Sequence, residues 1–375
     1  MRVYPIYNFH DLIKIREIWN RVLGESNSNS PFLTMEWLTS WWKAFGQRKE
    51  LLILLAYDET SDVPCGISPL MIRKSGVFKI IEFVGTGNSD HLDFIIKDKD
   101  EEVVHSFFMF LNAKQNTWDL IYIRDMLCSS KNIPHILKEA KKMGWLALMH
   151  PAASYPYLQI TEDWQKFVST KSSNFRYTLK RYEKRLKKEG PLFHVEQKGT
   201  LDFDSRVLND IADIEKRSWK AGTPAARLQF PKVRAFYFSF MKDFALNGWL
   251  NLWVGYMGEK PVAYLINFDY GNKIWFYNSA YDERFSRMGI GSIIHYLAIK
   301  DAFFKGKTEY DFLKGGEMFK KRWASKSRQS MHLLLMKKSI RSFLGYIVIF
   351  QIGKVLKKLK IYRNLIPLLR PLNPH

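Results

Sequence analysis

Two glycines separated by one residue, Gly289 and Gly291, lie in the stretch SRMGIGS between an aromatic, β-branched run and a segment with helical apolar spacing. The first turn of a helix carries backbone N–H groups without carbonyl partners and a partial positive charge, so it favours anions. Glycine lets a phosphate approach the backbone closely. The alternative is a turn that only starts a helix. We predict that this stretch binds a diphosphate through six residues: Arg287, Met288, Gly289, Ile290, Gly291 and Ser292.

Acidic residues that follow this stretch are candidates for proton transfer. Asp311 lies in a predicted strand and Glu317 at the start of a short predicted helix. Acyl transfer to an amine needs a neutral amine, and a carboxylate can take the proton from the ammonium form, directly or through water. The alternatives are a buried carboxylate that accepts from backbone groups for Asp311, and a first-turn acid favoured by the helix dipole for Glu317.

Two further groups of polar residues end predicted strands. The hydroxyl of Tyr281, just before the glycine loop, would reach a departing thiolate, although packing of its ring is the alternative. Asp90, His91 and Asp93 occupy the equivalent position in the N-terminal half and suit recognition of an acceptor. A lone histidine is more often a partly buried residue with satisfied hydrogen bonds. No metal-ligand spacing surrounds these residues, so we predict no metal.

The elements that position these residues follow an α+β order. The C-terminal half predicts a strand, a helix at 204–220, a second helix at 232–246 stopped by Asn247 and Gly248, and three antiparallel strands with a hairpin turn at Gly271 and Asn272. The glycine loop with its helix, a strand, a short helix and a last strand follow. The N-terminal half gives a weaker copy without the glycine pair. Two prolines near residue 155 interrupt the pattern. The predicted domains are 1–155 without the loop, 156–336 with it, and a tail at 337–375.

Two segments carry nearly all of the net charge of +21. Residues 171–189 contain eight Lys or Arg against two Glu, and predict a basic helix at 172–189, capped by Ser173 or Asn174 and ended by Gly190. A solvated face is the ordinary role of such a helix. The alternative is that Arg176 and its neighbours bind an anionic substrate group. An apolar stripe runs along the helix: Phe175, Leu179, Tyr182 and Leu186.

The second basic segment, 318–375, contains 14 Lys or Arg and no acid. From residue 337 its apolar and lysine-rich blocks suit a helix lying on an anionic membrane surface, and the alternative is a helix packed on the domain. No apolar run is long enough to span a bilayer, and the first residues do not form a signal peptide. Two cysteines are too few for a disulfide framework. We therefore expect a cytoplasmic protein, peripheral at the inner face of the membrane.

The loop also carries a family resemblance. SRMGIGSIIHYLAI, after three antiparallel strands, resembles the acyl-CoA pyrophosphate loop of GNAT N-acyltransferases, [QR]-x-x-G-x-[GA], with Ser286 at the first position and Arg287 next to it. Five ordered stretches between residues 30 and 335 resemble the CelD/BcsL-type proteins, which are FemAB-like tandem GNAT proteins of bacterial polysaccharide assembly: SPFLTMEWLTSWW, GNSDHLDFII, SSNFRYTLKRYEKRLKKEG, AYDERFSRMGIG and YDFLKGGEMFKKRWA.

This resemblance implies two tandem GNAT-like domains with mixed central sheets flanked by helices. It implies acetyl-CoA or another acyl-CoA as co-substrate of the C-terminal domain, and a small or lipid-linked amino sugar, or a related amine, as acceptor. Phe319 and Lys320 match the family's aromatic–lysine pair, in which the lysine would stabilise an oxyanion or hold an anionic substrate group; a solvated basic face is the alternative.

Three other functions stay open from the sequence. One is a FemAB-like aminoacyltransferase that uses aminoacyl-tRNA, with which the basic helix is compatible. Another is a nucleic-acid-binding protein, which the charge permits, but stacking aromatics are not interleaved with the basic residues and no RRM, KH or zinc pattern occurs. The last is an inactive scaffold built from acyltransferase folds.

Overall fold

The computed structural model describes residues 1–189, 193–198 and 204–352. These residues form two compact units. The first unit comprises residues 1–153 and, among the described residues, 329–352; the second comprises residues 154–328. The second predicted domain extended to residue 336, but the chain returns to the first unit at Gln329.

The strands lie along the chain in the order β1 (Arg2–Ile6), β2 (Lys49–Tyr57), β3 (Pro64–Ser75), β4 (Phe78–Phe83), β5 (Ile95–Ile96), β6 (Leu120–Leu127), β7 (Leu146–Gln159), β8 (Phe193–Lys198), β9 (Leu250–Met257), β10 (Lys260–Tyr270), β11 (Lys273–Tyr281), β12 (Glu309–Asp311) and β13 (Lys326–Met336). The helices are α1 (Phe9–Lys14), α2 (Arg16–Glu25), α3 (Met35–Phe45), α4 (Asp100–Ala113), α5 (Asn132–Lys142), α6 (Trp164–Ser169), α7 (Ser173–Glu189), α8 (Ser205–Lys216), α9 (Pro231–Leu246), α10 (Ile290–Phe304), α11 (Met318–Trp323) and α12 (Ile340–Tyr346).

Each unit contains a mixed sheet, and the two sheets have the same plan. In the first unit the order is β1-β2-β3-β4-β6-β13, with β5 beside β3; in the second it is β8-β9-β10-β11-β12-β7. Neighbouring strands are antiparallel except for one parallel pair in each sheet, β4 with β6 and β11 with β12. The α+β prediction is therefore confirmed, together with the internal repeat.

Local sequence explains the hairpins of the second unit. Gly271 and Asn272 connect β10 to β11 and both have positive φ, 60° and 58°. Two consecutive residues of this kind form the turn that matches the twist of a β-hairpin. Helix α9 ends at Leu246, before the predicted stop at Asn247 and Gly248. Helix α8 ends at Lys216, four residues before the predicted end, and residues 217–220 form a turn.

The basic helix α7 packs its predicted apolar stripe into the hydrophobic core of the second unit, which is called the second core below. Phe175, Leu179 and Tyr182 are buried, and Leu186 packs against the same cluster, which includes residues of β11 and α10. The amide of Phe175 donates to the hydroxyl of Ser172, one residue before the predicted cap, at 3.3 Å. The predicted stop at Gly190 lies outside the described residues. Burial of the stripe places the basic residues of α7 on the remaining face.

The start of the predicted tail packs on the first unit. The hydroxyl of Ser342 donates to the Asp119 carbonyl at 2.7 Å, and Arg341 pairs with the Asp119 carboxylate at 2.6 Å. A π-helix at Ile347–Ile352 follows α12. The predicted amphipathic segment with Lys354, Lys357 and Lys358 lies outside the described residues. None of the described helices has the length and apolar character needed to cross a membrane.

Candidate functional site

The second sheet opens where β11 and β12 diverge. The parallel pairing covers only three residues of each strand, Lys273–Trp275 with Glu309–Asp311. The remainder of β11 borders a cavity of about 500 Å³ that is lined by residues of the second unit. Residues of β11, α7, α10 and α11 contribute to its walls. A cavity of this size, with both apolar and polar walls, has the character of a small-molecule site.

The glycine loop lies at the edge of this cavity. Gly289 has φ of 71° and is the N-cap of α10, and Gly291 and Ser292 line the cavity. The N–H groups of Ile290, Gly291 and Ser292 donate to no other group in the described part of the chain. The Gly289 N–H, predicted to join them, instead donates to the Ser286 carbonyl at 2.9 Å. Ile290 is fully buried, whereas Gly291 and Ser292 line the cavity, so the amides available to an anion are those of Gly291 and Ser292.

Arg185 of α7 supplies positive charge beside the loop. Its Nη1 donates to the carbonyls of Met288 and of Arg287, the latter at 3.3 Å. The Arg287 side chain is exposed, whereas that of Met288 packs against the second core. The sequence indicated charge from Arg287 but not from Arg185, because the two segments lie about 100 residues apart in the chain.

Gly291 is required by the ring of Tyr281. A Cβ at position 291 would lie 2.5 Å from Cδ1 and 2.8 Å from Cε1 of Tyr281, much closer than carbon atoms pack. Tyr281 lines the cavity as well, beside Gly291. The sequence predicted both residues for this site, and the structure brings them into contact.

Residues of the short helix α11, and Glu317 just before it, also line the cavity. Lys320 is buried; its Nζ donates to the Lys314 carbonyl at 2.6 Å and pairs with Glu317 at 3.1 Å. The Glu317 side chain is 55% exposed. Phe319 lies 4.7 Å from the His295 ring, centroid to centroid. Glu317, Phe319 and Lys320, all predicted, therefore share one cavity with Tyr281 and Gly291.

Asp311 has a different environment from the one predicted for a base. It is completely buried and is not among the residues that line the cavity. Its carboxylate accepts from the Leu313 N–H at 2.7 Å and pairs with Arg328 at 3.0 Å. These bonds match the structural alternative, a buried carboxylate that accepts from the backbone, so the geometry supports Glu317 over Asp311 as a cavity group.

Arg176 also lies away from the cavity walls. Its guanidinium donates to the carbonyls of Ser169 at 3.1 Å and Lys171 at 2.6 Å, at the end of α6. Cations at the end of a helix stabilise its last carbonyls. Arg176 thus fixes the turn between α6 and α7, and its predicted contact with substrate has no support in this position.

Asp90, His91 and Asp93 lie in the first unit, whereas the cavity is lined by the second. Asp93 is buried and accepts from Ser130, Asn132, Ser28 and the Phe94 N–H, at 2.6 to 3.1 Å. His91 is buried with φ of 52°. Asp93 thus joins β5, α5 and the loop after α2, which is a structural role.

Burial raises the pKa of Asp93 to about 6 from 3.8, although its hydrogen bonds oppose the change. Because the folded state holds this proton more tightly, the stabilisation is complete below pH 3.8 and is lost as pH rises through 6. Asp93→Asn keeps one acceptor oxygen and has no such proton. We expect the wild type, relative to this variant, to lose about 2 kcal/mol of stability between pH 4 and 7. Urea unfolding of both proteins at pH 4 and 7, with hydrogen exchange in the first unit, measures this loss. If the stability of the wild type and of Asp93→Asn changes equally with pH, the prediction is wrong.

Several cavity residues were not predicted. Lys220, Asn278, Ser279 and His295 line it, and Lys220 lies on the turn that follows the early end of α8. Nε2 of His295 lies 3.3 Å from the Ser279 hydroxyl, and burial, reinforced by the charge of Lys320, lowers the pKa of this imidazole to about 3. His295 is therefore neutral at physiological pH. Its position one turn after Gly291 was the available signal. The described residues contain no His, Cys, Asp and Glu cluster able to hold a metal ion.

Comparisons with known proteins match this chain to one family model and to solved structures. Residues 173–321 match the family model described as an acetyltransferase (GNAT) domain. The structure of FemX aligns with a TM-score of 0.61 at 12% identity, over 88% of this chain and 97% of FemX. The structure of L-PGS from Bacillus licheniformis aligns with a TM-score of 0.53 at 14% identity, over 86% and 92%. The comparison with curated protein sequences gives no match.

These structural likenesses concern the fold alone. The protein consists of GNAT-fold units in tandem, and the family model covers the part of the chain that holds the loop, Tyr281 and Lys320. The fold predicted from the sequence is therefore confirmed.

Proposed function

We propose that the protein is an N-acyltransferase that transfers an acyl group from acyl-CoA to an amine. The observation that carries this proposal is the pair of N–H groups at Gly291 and Ser292, which lie at a helix start in the cavity wall and have no partner in the described residues. Such a group of amides fits a diphosphate. Arg185, bound to the preceding carbonyls, adds a positive charge.

The cavity residues suit the remaining requirements of acyl transfer. Tyr281 lies against the first turn of α10, where its hydroxyl would donate a hydrogen bond to the departing thiolate. The buried ammonium of Lys320 would stabilise an oxyanion or bind an anionic substrate group. Glu317, beside Lys320, is the carboxylate that remains available for proton transfer at the cavity.

We further propose that the acceptor is an amino sugar or related amine of bacterial cell-surface polysaccharide biosynthesis. Its support is the resemblance of five ordered stretches to the CelD/BcsL-type proteins. A cytoplasmic location, peripheral at the inner face of the membrane, belongs to the same proposal. Exposed Ile340, Phe343 and Leu344 beside Arg341 on α12 are compatible with contact to an anionic lipid surface.

A second candidate is an aminoacyltransferase that takes its donor from aminoacyl-tRNA. The similarity of fold to FemX and the solvent-facing basic residues of α7 favour it. The unpaired amides of α10 and the contact between Gly291 and Tyr281 favour acyl-CoA instead, because they form a site for a diphosphate rather than for a polynucleotide backbone.

Isothermal titration tests the donor. We expect acetyl-CoA to bind the full-length protein with a Kd below about 1 mM, and 3′-dephospho-CoA to retain most of this affinity because it keeps the diphosphate. Pantetheine, which lacks it, should not bind measurably. Tight binding of aminoacyl-tRNA with no binding of acetyl-CoA would replace the first candidate with the second.

A further inference from the structure

We propose that Lys220 is the residue that transfers protons between the amine acceptor and the leaving sulfur in this cavity. The inference rests on the proposed acyl transfer and assigns a catalytic role to a residue outside both the glycine loop and the aromatic–lysine pair. It is supported by the position of the Lys220 side chain, by the groups around its Nζ, and by the fact that the other titratable groups nearby are less suitable.

The turn after α8 places Lys220 in the cavity wall. Ser218 closes this turn, since its hydroxyl donates to the Glu215 carbonyl at 2.8 Å and accepts from the Lys220 N–H at 3.2 Å. The Lys220 side chain is only 7% exposed, yet it lines the cavity together with Asn278 of β11. Nζ donates to Oδ1 of Asn278 at 2.5 Å. Asn278 lies in the part of β11 that has separated from β12, so Nζ faces the opened side of the sheet.

Four elements contribute groups around Nζ of Lys220: β11 through Asn278, and α8, β10 and the 3₁₀ turn before α9 through the residues that follow. Glu215 of α8 lies 3.6 Å away, and the Tyr264 hydroxyl of β10 lies 3.5 Å away. Arg227, in the 3₁₀ turn before α9, adds positive charge that opposes protonation. The amide of Asn278 is itself held, because its Nδ2 donates to the hydroxyl of Tyr237 of α9 at 3.1 Å.

Glu215 is already occupied by other donors. Its Oε2 accepts from the Leu228 N–H at 2.7 Å, and its Oε1 accepts from the Tyr264 hydroxyl at 3.2 Å. The carboxylate is buried and is not among the cavity-lining residues. It therefore fixes and polarises the lysine without meeting a ligand itself.

The surroundings of Nζ bring the pKa of Lys220 close to physiological pH, which suits proton exchange. Burial lowers the pKa of the Lys220 ammonium to about 8, and the carboxylate of Glu215 limits the change. A base is most effective when its pKa lies near the working pH, because both protonation states are then populated. The cations Lys314, Lys320 and Arg322 also line the cavity and would disfavour an additional charge there.

Other titratable groups of the cavity are less suitable. The pKa of His295 is about 3, so its imidazole is a weak base toward an ammonium ion. Glu317 is more than half exposed and paired with Lys320. Asp311 is absent from the cavity wall and is held by Arg328.

The proposed step balances in atoms and charge. The acceptor nitrogen attacks the thioester carbon, a C–N bond forms and the C–S bond breaks. Neutral Lys220 takes the proton that the nitrogen loses, and its ammonium form then protonates the leaving thiolate. The products are the amide and free CoA thiol, and Lys220 returns to the neutral form.

The decisive measurement is the titration of Lys220 in the full-length protein. Selective ¹³C labelling of the lysine ε-carbons, with Lys220→Arg to assign the signal, gives its protonation midpoint with and without acetyl-CoA. We expect a midpoint near 8, against 10.5 for an ordinary lysine, and a change in both chemical shift and midpoint when acetyl-CoA binds. A midpoint near 10.5, or a signal that acetyl-CoA leaves unchanged, would overturn the proposal.

Turnover provides a second readout. The rate is measured with acetyl-CoA and a panel of amino sugars. The variant Lys220→Arg keeps the positive charge, but an arginine cannot exchange protons near pH 8. We expect a rate at least about 100-fold lower, loss of the limb near pH 8 from the pH–rate profile, and unchanged acetyl-CoA affinity. An unchanged rate and profile would contradict the role.

The control is Lys216→Arg, an exposed lysine on the last turn of α8. It should match the wild type in melting temperature, affinity and rate. Failure of the proposed function is recognised separately, because acetyl-CoA then fails to bind the wild type. If acetyl-CoA binds but the chemical shift and midpoint of Lys220 do not change, the proposed function stands and only this inference is wrong. If no amine is acetylated, the titration alone decides.

Discussion

Gly291→Ala is expected to weaken acetyl-CoA binding at least about tenfold, equivalent to 1.4 kcal/mol or more. The added methyl group would lie 2.5 Å from the Tyr281 ring. The ring is rigid, so either it moves toward the cavity or the first turn of α10 moves away. Both changes displace the amides that are proposed to hold the diphosphate. Isothermal titration with acetyl-CoA, together with the melting temperature, measures the effect.

A second substitution separates this effect from misfolding. In Gly291→Ala/Tyr281→Ala the obstructing ring is absent, so we expect acetyl-CoA affinity to return to within about threefold of the Tyr281→Ala single variant. Gly24→Ala, in α2 where a Cβ meets no atom within 4 Å, is the matched control and should bind normally. Normal binding by Gly291→Ala, or no recovery in the double variant, would show that the helix start does not hold the ligand.

The sequence was sufficient for features that depend on local spacing. The glycine pair predicted the loop, the apolar stripe predicted α7, and the alternation of strands and helices predicted the fold. Glycine–asparagine and asparagine–glycine pairs marked real turns. These features are encoded within a few residues, because backbone conformation and the period of burial are local properties.

Features that depend on contacts between residues far apart in the chain could not be predicted from the sequence. The contact between Arg185 and the loop carbonyls joins residues about 100 positions apart. Lys220 reaches the cavity only because α8 ends at Lys216, and its pattern gave no reason for that early end. The environment of Asp311 depends on Arg328, a residue of the last predicted strand. In each case tertiary packing, rather than local spacing, determines the partner.

Asp311 and Arg328 also carry the largest expected effect on stability. Arg328 pairs with Asp311 at 3.0 Å and with both carboxylate oxygens of Glu309, and its guanidinium lies 3.7 Å from the Tyr157 ring centre. Both carboxylates are less than 10% exposed. Arg328→Met removes the charge and leaves two buried anions close together. We expect a loss of about 3 kcal/mol in the free energy of unfolding of the second unit, since removing one partner of a buried pair typically costs 3–5 kcal/mol.

Neutral partners should remove most of this cost. In Arg328→Met/Glu309→Gln/Asp311→Asn no buried carboxylate is left unpaired, and Lys273, which pairs with Glu309 at 3.5 Å, is 34% exposed and reaches solvent. The amide oxygen of residue 311 can still accept from the Leu313 N–H, so we expect at least half of the lost stability to return. Arg206→Met, which breaks an ion pair with an 88% exposed arginine, is the control and should change stability by less than about 0.5 kcal/mol. Urea unfolding, with hydrogen exchange of the second unit, provides the values. The single variant Asp311→Asn should also keep wild-type acetyl-CoA affinity and turnover, because its carboxylate holds Arg328 rather than a ligand; loss of turnover with intact folding would restore Asp311 as the base.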